Sequence, residues 1–220
     1  MILKIYISLI LAYAALSISV VNAASIQKAD PANEIAKVYY SGDMNTSSIS
    51  QLVSVFDEIN KNSDTKRIYL YINSYGGDMD AGLMASAVIK SSRIPVTTVA
   101  MSTVGSSATI MLCAAEDRRS LPDGYIYLHP SFINYNGDVR PNNIQEMSNE
   151  SRRFNNMFKK TYKTCTNLPD DMINNILYSE SNRITYTPEE AKKINLISVI
   201  DSKIVEAGKN YYVTNNGSDG

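Results

Sequence analysis

R-I-Y-L-Y-I-N-S-Y-G-G, Arg67–Gly77, is the stretch on which the architecture turns. Ile68 to Ile72 is apolar throughout, whereas a strand with one wet face would alternate. The run therefore reads as a strand buried on both faces, the habit of a parallel sheet. Two glycines end it, and Asp78 or Asp80 can cap a helix carrying Leu83, Met84, Ala87 and Val88. The same grammar recurs upstream. Ile35–Tyr40 is a β-rich run closed by S-G-D, and Ile49, Leu52, Val53, Phe56 and Ile59 follow at helical spacing. Downstream, a strand over Val96–Met101 turns a small-residue corner at Gly105 and enters a helix-like apolar segment, Ala108–Ala115. Polar E-D-R-R-S breaks that segment, and Tyr125–Leu128 reads as a strand ending at His129. Strands alternating with helices predict an α/β fold with parallel pairing.

The second half is more helical. Residues 133–141 are polar and turn-rich, and a long helix is expected from about Asn142 to Cys165, using Ile144, Met147, Phe154, Met157, Phe158 and Tyr162. A helix over Pro169–Leu177 comes next. Thr187 then caps a short helix begun by Pro188, and Leu196–Ile200 reads as the last strand. Residues 204–220 lose all pattern and are expected to fray.

Composition narrows the function classes. A chain of 220 residues, 44% hydrophobic, suits one globular domain with a full core. A net charge of −1 gives no electrostatic reason to expect nucleic acid or an acidic membrane as partner. One histidine excludes a multi-histidine metal site. Cys113 and Cys165 lack metal-ligand spacing, and Cys113, in an apolar helical run, reads as a core residue, with a single bridge between the two as the lesser alternative. At the N-terminus, Lys4 precedes an apolar run, Ile5–Val21, and V-N-A at Val21–Ala23 offers the small residues that signal cleavage requires. Residues 1–23 are thus expected to be a signal peptide and 24–34 a new mature N-terminal segment, with an uncleaved membrane anchor as the alternative. The expected location is exported, periplasmic or secreted.

Three features, each following its own strand, carry the chemistry. Ser106 sits at a strand-to-helix corner among small neighbours, where unpaired helix-start amides favour developing negative charge. Gly76-Gly77 ends a buried strand at the same sheet edge, and His129 ends another. Alone, these read as a helix cap, an ordinary turn and a surface-loop histidine. Together they supply a nucleophile, a base and a backbone-amide pocket for an oxyanion, the requirements of acyl transfer.

At these residues the chain resembles the proteolytic subunit of the Clp protease (ClpP), of the ClpP/crotonase superfamily. I-Y-L-Y-I-N-S-Y-G-G-D-M-D-A-G is similar to that family's strand and oxyanion loop, I-N-S-P-G-G, with Tyr75 in place of the proline. From Gly77 to Ser106 no gap is needed, which puts Ser106 on the family's nucleophile. L-P-D-G-Y-I-Y-L-H-P-S is similar to its L-P-x-x-x-x-x-x-H-x-P region and puts His129 on the catalytic histidine, with about two residues missing in the E-D-R-R-S loop. P-E-E-A-K-K-I-N-L-I resembles the C-terminal P-E-E-A-x-x-x-G-L-I-D, with Asn195 for the glycine and Ser198 for the aspartate. The likeness runs from about Ile35 to Asp201.

The resemblance implies a ClpP/crotonase-like α/β fold of repeated ββα units, a parallel sheet and a long handle helix, within a peptidase domain over 35–203. It implies that Ser106 attacks the scissile carbonyl, that His129 takes and returns the proton, and that the amides of Gly77 and Ser107 hold the oxyanion. For the third catalytic member, an ungapped alignment lands on Arg183 and a one-residue shift lands on Asn182. Asn182 is the assignment, with Asp170, Asp171 and Glu180 as nearby carboxylates that could substitute. No cofactor or metal is implied. Partners would be peptides or unfolded proteins and further copies of the chain in a homo-oligomeric ring. Cytosolic Clp ATPases are not expected for an exported chain. The expected function is therefore an ATP-independent, ClpP-like serine endopeptidase. The alternatives are a weak or inactive structural subunit assembling with a paralogue, and, less so, a signal-peptide-peptidase-like hydrolase. The latter needs a lysine base, and Lys90 is the sole lysine between Gly77 and His129. A crotonase-type acyl-CoA enzyme would leave the serine and histidine together unexplained.

Overall fold

A computed structural model describes residues 31–215. The expected signal peptide and residues 24–30 of the mature segment lie outside the described residues, as do 216–220. Strands β1 (Ile35–Ser41), β2 (Arg67–Ser74) and β3 (Val96–Gly105) form the middle of one sheet and are parallel to one another. Helix α1 (Thr46–Lys61) connects the first two strands and α2 (Met79–Ser91) the next two. Alternation along β2 divides the sheet's faces. Ile68, Leu70 and Ile72 enter the main core with Leu52 and Phe56 of α1, whereas Tyr69 and Tyr71 join Val99 in a second cluster on the other side. Burial on both faces is why this strand shows no polar alternation.

Capping fixes the helix starts. Asn45 accepts from Ser48 N at 2.8 Å at the head of α1, and Asp78 accepts from Asp80 N and Ala81 N at 2.7 and 3.1 Å at the head of α2. Thr187 and Glu190 form a reciprocal box at α6 (Pro188–Lys193), with Pro188 in the first turn. Just after α6, Asn195 adopts a φ of 59°, a left-handed conformation that asparagine tolerates better than most residues.

Strand β3 forks. Its first half pairs with β4 (Asp117–Ser120), which pairs in turn with β7 (Val199–Ile200). Its second half pairs with β5 (Tyr125–Leu128), and β5 takes β6 (Ile184–Tyr186) in the one antiparallel contact of the described sheet. Helix α3 (Ala108–Leu112) leaves the tip of β3, and the long helix α4 (Pro141–Cys165) precedes α5 (Asp170–Ile176). Phe158, Tyr162 and Cys165 bury the C-terminal half of α4, and its N-terminal half is largely exposed. Among the described residues no helix is long and apolar enough to cross a membrane.

Three expectations are corrected. E-D-R-R-S is not a bare loop, because Asp117–Ser120 is β4. Its charged side chains are satisfied by ion pairs and hydrogen bonds. Asp117 pairs with Arg119 at 2.8 Å, Arg119 reaches Asp201 at 3.1 Å, and Arg118 donates to the carbonyls of Leu196 and Asn195 at 3.0 and 2.9 Å. The cysteines do form a disulfide, Cys113–Cys165, with Cα atoms 5.6 Å apart. It joins the end of α3 to the last residue of α4, a proximity created by packing and invisible in either segment alone.

The segment after 204 does not wholly fray. Lys209–Thr214 is β8, a parallel edge strand on β1. Val213 is buried, Tyr212 stacks on Tyr39 with ring centroids 5.1 Å apart, and Val205 N donates to Tyr71 OH at 3.0 Å. Partners near the other end of the chain rescue a segment too short to show a period of its own.

Candidate active site

The register of β3 on β5 assembles the site. Gly105 stands opposite Tyr127, so Ser106 lies one residue, and His129 two residues, beyond that matched pair of neighbouring parallel strands. Both emerge at the carboxyl edge of the sheet. Ser106 has a φ of 52°, a left-handed conformation costly to a residue with a Cβ, and such strain is concentrated at functional corners. The corner is locked from below. Ser106 O accepts from Thr109 N at 2.9 Å and Thr109 Oγ1 at 2.6 Å, and that hydroxyl lies 3.1 Å from Tyr162 OH of α4. Burial pushes the Tyr162 phenol up, well above its usual range, so it stays protonated as a partner for Thr109.

Gly76 and Gly77 form the facing wall, with φ of 100° and 141°. A Cβ on Gly76 would lie 2.5 Å from Ser106 Cβ and 2.8 Å from Gly105 O. The glycine is therefore what lets this loop close on the serine corner. Gly76 O accepts from Met44 N at 2.8 Å. Because the 76–77 peptide is planar, its N–H at Gly77 points away from Met44. Ser107, at the head of α3, offers a first-turn amide that the helix leaves unpaired. Tyr75, in the position of the family's proline, is exposed, and its carbonyl accepts from Tyr127 OH.

His129 is 6% exposed, with its ring edge-on to Tyr127 at 5.4 Å and tilted against Phe132 and Phe158. Nδ1 lies 2.8 Å from Glu180 Oε2. A carboxylate there accepts from Nδ1–H, which fixes the tautomer that leaves Nε2 as the basic nitrogen. Nε2 is buried without a hydrogen-bond partner. The serine hydroxyl and Nε2 are therefore not bonded to each other here, a looseness common before substrate binds.

The assignment of Asn182 as the group on the imidazole is corrected. Glu180 and Asn182 share one short 3-10 turn, Glu180–Asn182, and the amide of Asn182 turns away to Asn175, donating to its carbonyl at 2.8 Å. Glu180 instead faces His129, with Arg183 3.7 Å from its other oxygen and over the Tyr127 ring at 3.9 Å. Asp170 is engaged by Lys163 at 2.6 Å, in the first turn of α5. Glu180 is one of three carboxylates near this position in the sequence, and only the fold reveals which side chain turns inward. Lys90 lies exposed in the last turn of α2, at the opposite end of that helix from the glycine wall.

Two cavities flank the loop that follows His129. One, of about 470 Å³, is lined by Gly77, Met79, Ser106, Phe132 and Phe154. The other, of about 570 Å³, is lined by His129, Glu180 and Tyr178, and both share Ser131 and Phe132. Asn155 of α4 holds that loop, accepting from Ser131 N at 2.7 Å and donating to Leu177 O at 3.2 Å. Among the described residues no group of histidine, cysteine and carboxylates is arranged to hold a metal.

The chain is similar to proteins already known. The family model described as Clp protease matches residues 24–203. An "ATP-dependent Clp protease proteolytic subunit" of Chlorokybus atmophyticus is 29% identical over 167 residues, covering 74% of this chain and 72% of its own. A relative of Treponema denticola, "ATP-dependent Clp protease proteolytic subunit 2", is 35% identical over 95 residues, covering 42% of this chain and 48% of its own. Among solved structures, a point mutant of ClpP1 from Listeria monocytogenes superposes with a TM-score of 0.65 at 20% identity, over 76% of this chain and 91% of that one. At that identity the likeness speaks for the fold.

Proposed function

The chain belongs to the Clp protease family, and on that premise we propose that it is an exported serine endopeptidase that cleaves short or unfolded peptides without ATP. The observation that carries the reading is the meeting, at one sheet edge, of a strained serine corner, a two-glycine wall and a histidine held by a carboxylate. In the proposed reaction Ser106 Oγ attacks the peptide carbonyl while His129 Nε2 takes its proton. Glu180 holds the ring through Nδ1 and offsets the imidazolium charge. The amides of Gly77 and Ser107 stabilise the tetrahedral oxyanion. His129 then returns the proton to the leaving amine, and water releases the acyl group by the same route. The cavity of about 470 Å³ beside Ser106 would take the side chain next to the scissile bond.

Two features support export. The apolar N-terminal run has the pattern of a signal peptide, and a disulfide in the core suits an oxidising compartment. An exported chain is separated from cytosolic ATPases, which is the ground for ATP independence. A ring of several copies, with α4 as the packing handle, completes the assembly.

The test is labelling of the mature protein with a fluorophosphonate probe, alongside hydrolysis of fluorogenic peptides without nucleotide. Labelling and turnover that vanish in Ser106→Ala support the reading. A native protein that resists the probe is a structural subunit instead, and turnover that needs an added unfoldase and ATP removes the ATP-independent part.

A further inference from the structure

Strand β8 ends beside the β1–α1 loop, and that loop in turn packs on the two-glycine wall. Asn215, directly after β8, brackets one residue of the β1–α1 loop. Its Nδ2 donates to Asp43 O at 2.6 Å and its Oδ1 accepts from Asp43 N at 2.9 Å. Asp43 O is also met by Tyr40 OH at 2.9 Å and Ser48 Oγ at 3.1 Å, whereas the Asp43 N–H has Asn215 as its acceptor. Gly42 makes room for this, because a Cβ there would lie 1.7 Å from Asn215 Oδ1. The next residue, Met44, is buried and clamps the glycine wall from both sides. Met44 N donates to Gly76 O and Met44 O accepts from Asp78 N, each at 2.8 Å.

The clamp has no slack. A Cβ on Gly77 would meet Met44 O at 2.4 Å, so backbone packs directly on backbone. Whatever fixes Met44 fixes the tilt of the planar 76–77 peptide, and with it the direction of the Gly77 N–H. We infer that Asn215 is a positioning residue, aiming the Gly77 amide at the oxyanion through Asp43 and Met44. The inference rests on the proposed role of Gly77 and Ser106. It assigns to the C-terminal strand a part in the site that neither the serine corner nor the histidine reveals.

Loss of an oxyanion donor costs about 10²–10³ in kcat, and a donor displaced rather than deleted costs a part of that, about tenfold. Asn215→Ala is therefore expected to lower kcat about tenfold with KM changed less than twofold. The rate of fluorophosphonate labelling should fall by the same factor, since the phosphoryl oxygen enters the same pocket. Gly42→Ala, which evicts the Asn215 side chain by a separate route, should reproduce the effect. Asn215→Asp keeps the acceptor for Asp43 N–H and should recover part of the rate. Measured at 25 °C on folded protein, a purely structural contact would lower the melting temperature and leave kcat and labelling rate alone. That result in either Asn215→Ala or Gly42→Ala overturns the inference, as does a change confined to KM. Should wild-type protein itself escape labelling at Ser106, the reading of the site falls and takes this inference with it. Normal wild-type labelling with an indifferent Asn215→Ala sinks the inference alone.

Discussion

Glu180 Oε2 lies 2.8 Å from His129 Nδ1, while Asn182, two positions later in the same turn, bonds to Asn175 instead. Glu180 therefore combines two roles, an acceptor for Nδ1–H and a negative charge beside the ring. Glu180→Gln keeps an acceptor for Nδ1–H and loses the charge, whereas Glu180→Ala loses both. Removing the carboxylate costs about 10⁴ in serine proteases of another fold. Glu180 is well exposed, so water tempers its charge, and a loss of about 10²-fold in kcat is expected for Glu180→Gln and more for Glu180→Ala. Asn182→Ala should stay within about twofold of wild type, as its amide never reaches the imidazole. Steady-state kinetics on the three variants decide the assignment, and a larger loss in Asn182→Ala than in Glu180→Ala would reverse it.

Gly76→Ala should abolish probe labelling. The added methyl would stand 2.5 Å from Ser106 Cβ, against backbone that cannot withdraw, at a φ of 100°. Gly137→Ala is the matched control, with a φ of 130° and nothing within 4 Å of the new Cβ. It should cost about 1 kcal/mol of stability from backbone strain and leave labelling intact. Equal behaviour of the two variants would mean that the closeness of the glycine wall to the serine is immaterial.

Protein recovered from an oxidising compartment should show no free thiol under denaturing alkylation. Reduction, or Cys113→Ser with Cys165→Ser, releases a closure spanning 52 residues, worth about 4 kcal/mol by chain entropy and typically about 2–4 in practice. For a domain of this size the melting temperature should drop by roughly 5–15 °C. Two free thiols in the exported protein would contradict both the bridge and the compartment inferred from it.

Acid should unlock β4 before the core. Burial alone would raise the Asp117 carboxyl, but hydrogen bonds from Arg119 and Thr97 and the charges of Arg119 and Arg67 hold it below the usual carboxylate range. A depressed folded-state pKa means that the stabilisation is complete above the unfolded value of about 3.9 and is lost as pH falls through the lower folded one. Asp117→Asn should therefore be less stable than wild type at pH 7, and the gap should close below about pH 4. A gap that widens on acidification would show that another group governs this edge of the sheet.

What could be read from the chain was whatever repeats locally. Ile68–Ile72 displays its double burial in five consecutive residues, and Thr187-Pro188-Glu189-Glu190 carries its own cap. The placement of Ser106 and His129 at one sheet edge was legible because each ends a strand that announces itself, and spacing to Gly77 ties the serine to the glycine loop. Glu180 was only one carboxylate among three, because a 3-10 turn shows its neighbours every orientation and the sequence none. Strand β4 hides its nature in salt bridges to Arg67 and Asp201, and the disulfide exists only where α3 meets α4. Each missed feature is held by partners remote in the chain.

Strand β8 joins the sheet beside β1, and Asn215 meets Asp43 across 172 residues. A growing polypeptide makes β8 after every other described strand, so the β1 edge stays bare while the rest of the sheet is made. The serine corner, the histidine and the glycine wall are all made before the piece that braces them. A chain cut short before 209 would carry Ser106, His129 and the two glycines with the β1 edge uncovered and Asp43 without its Asn215 partner.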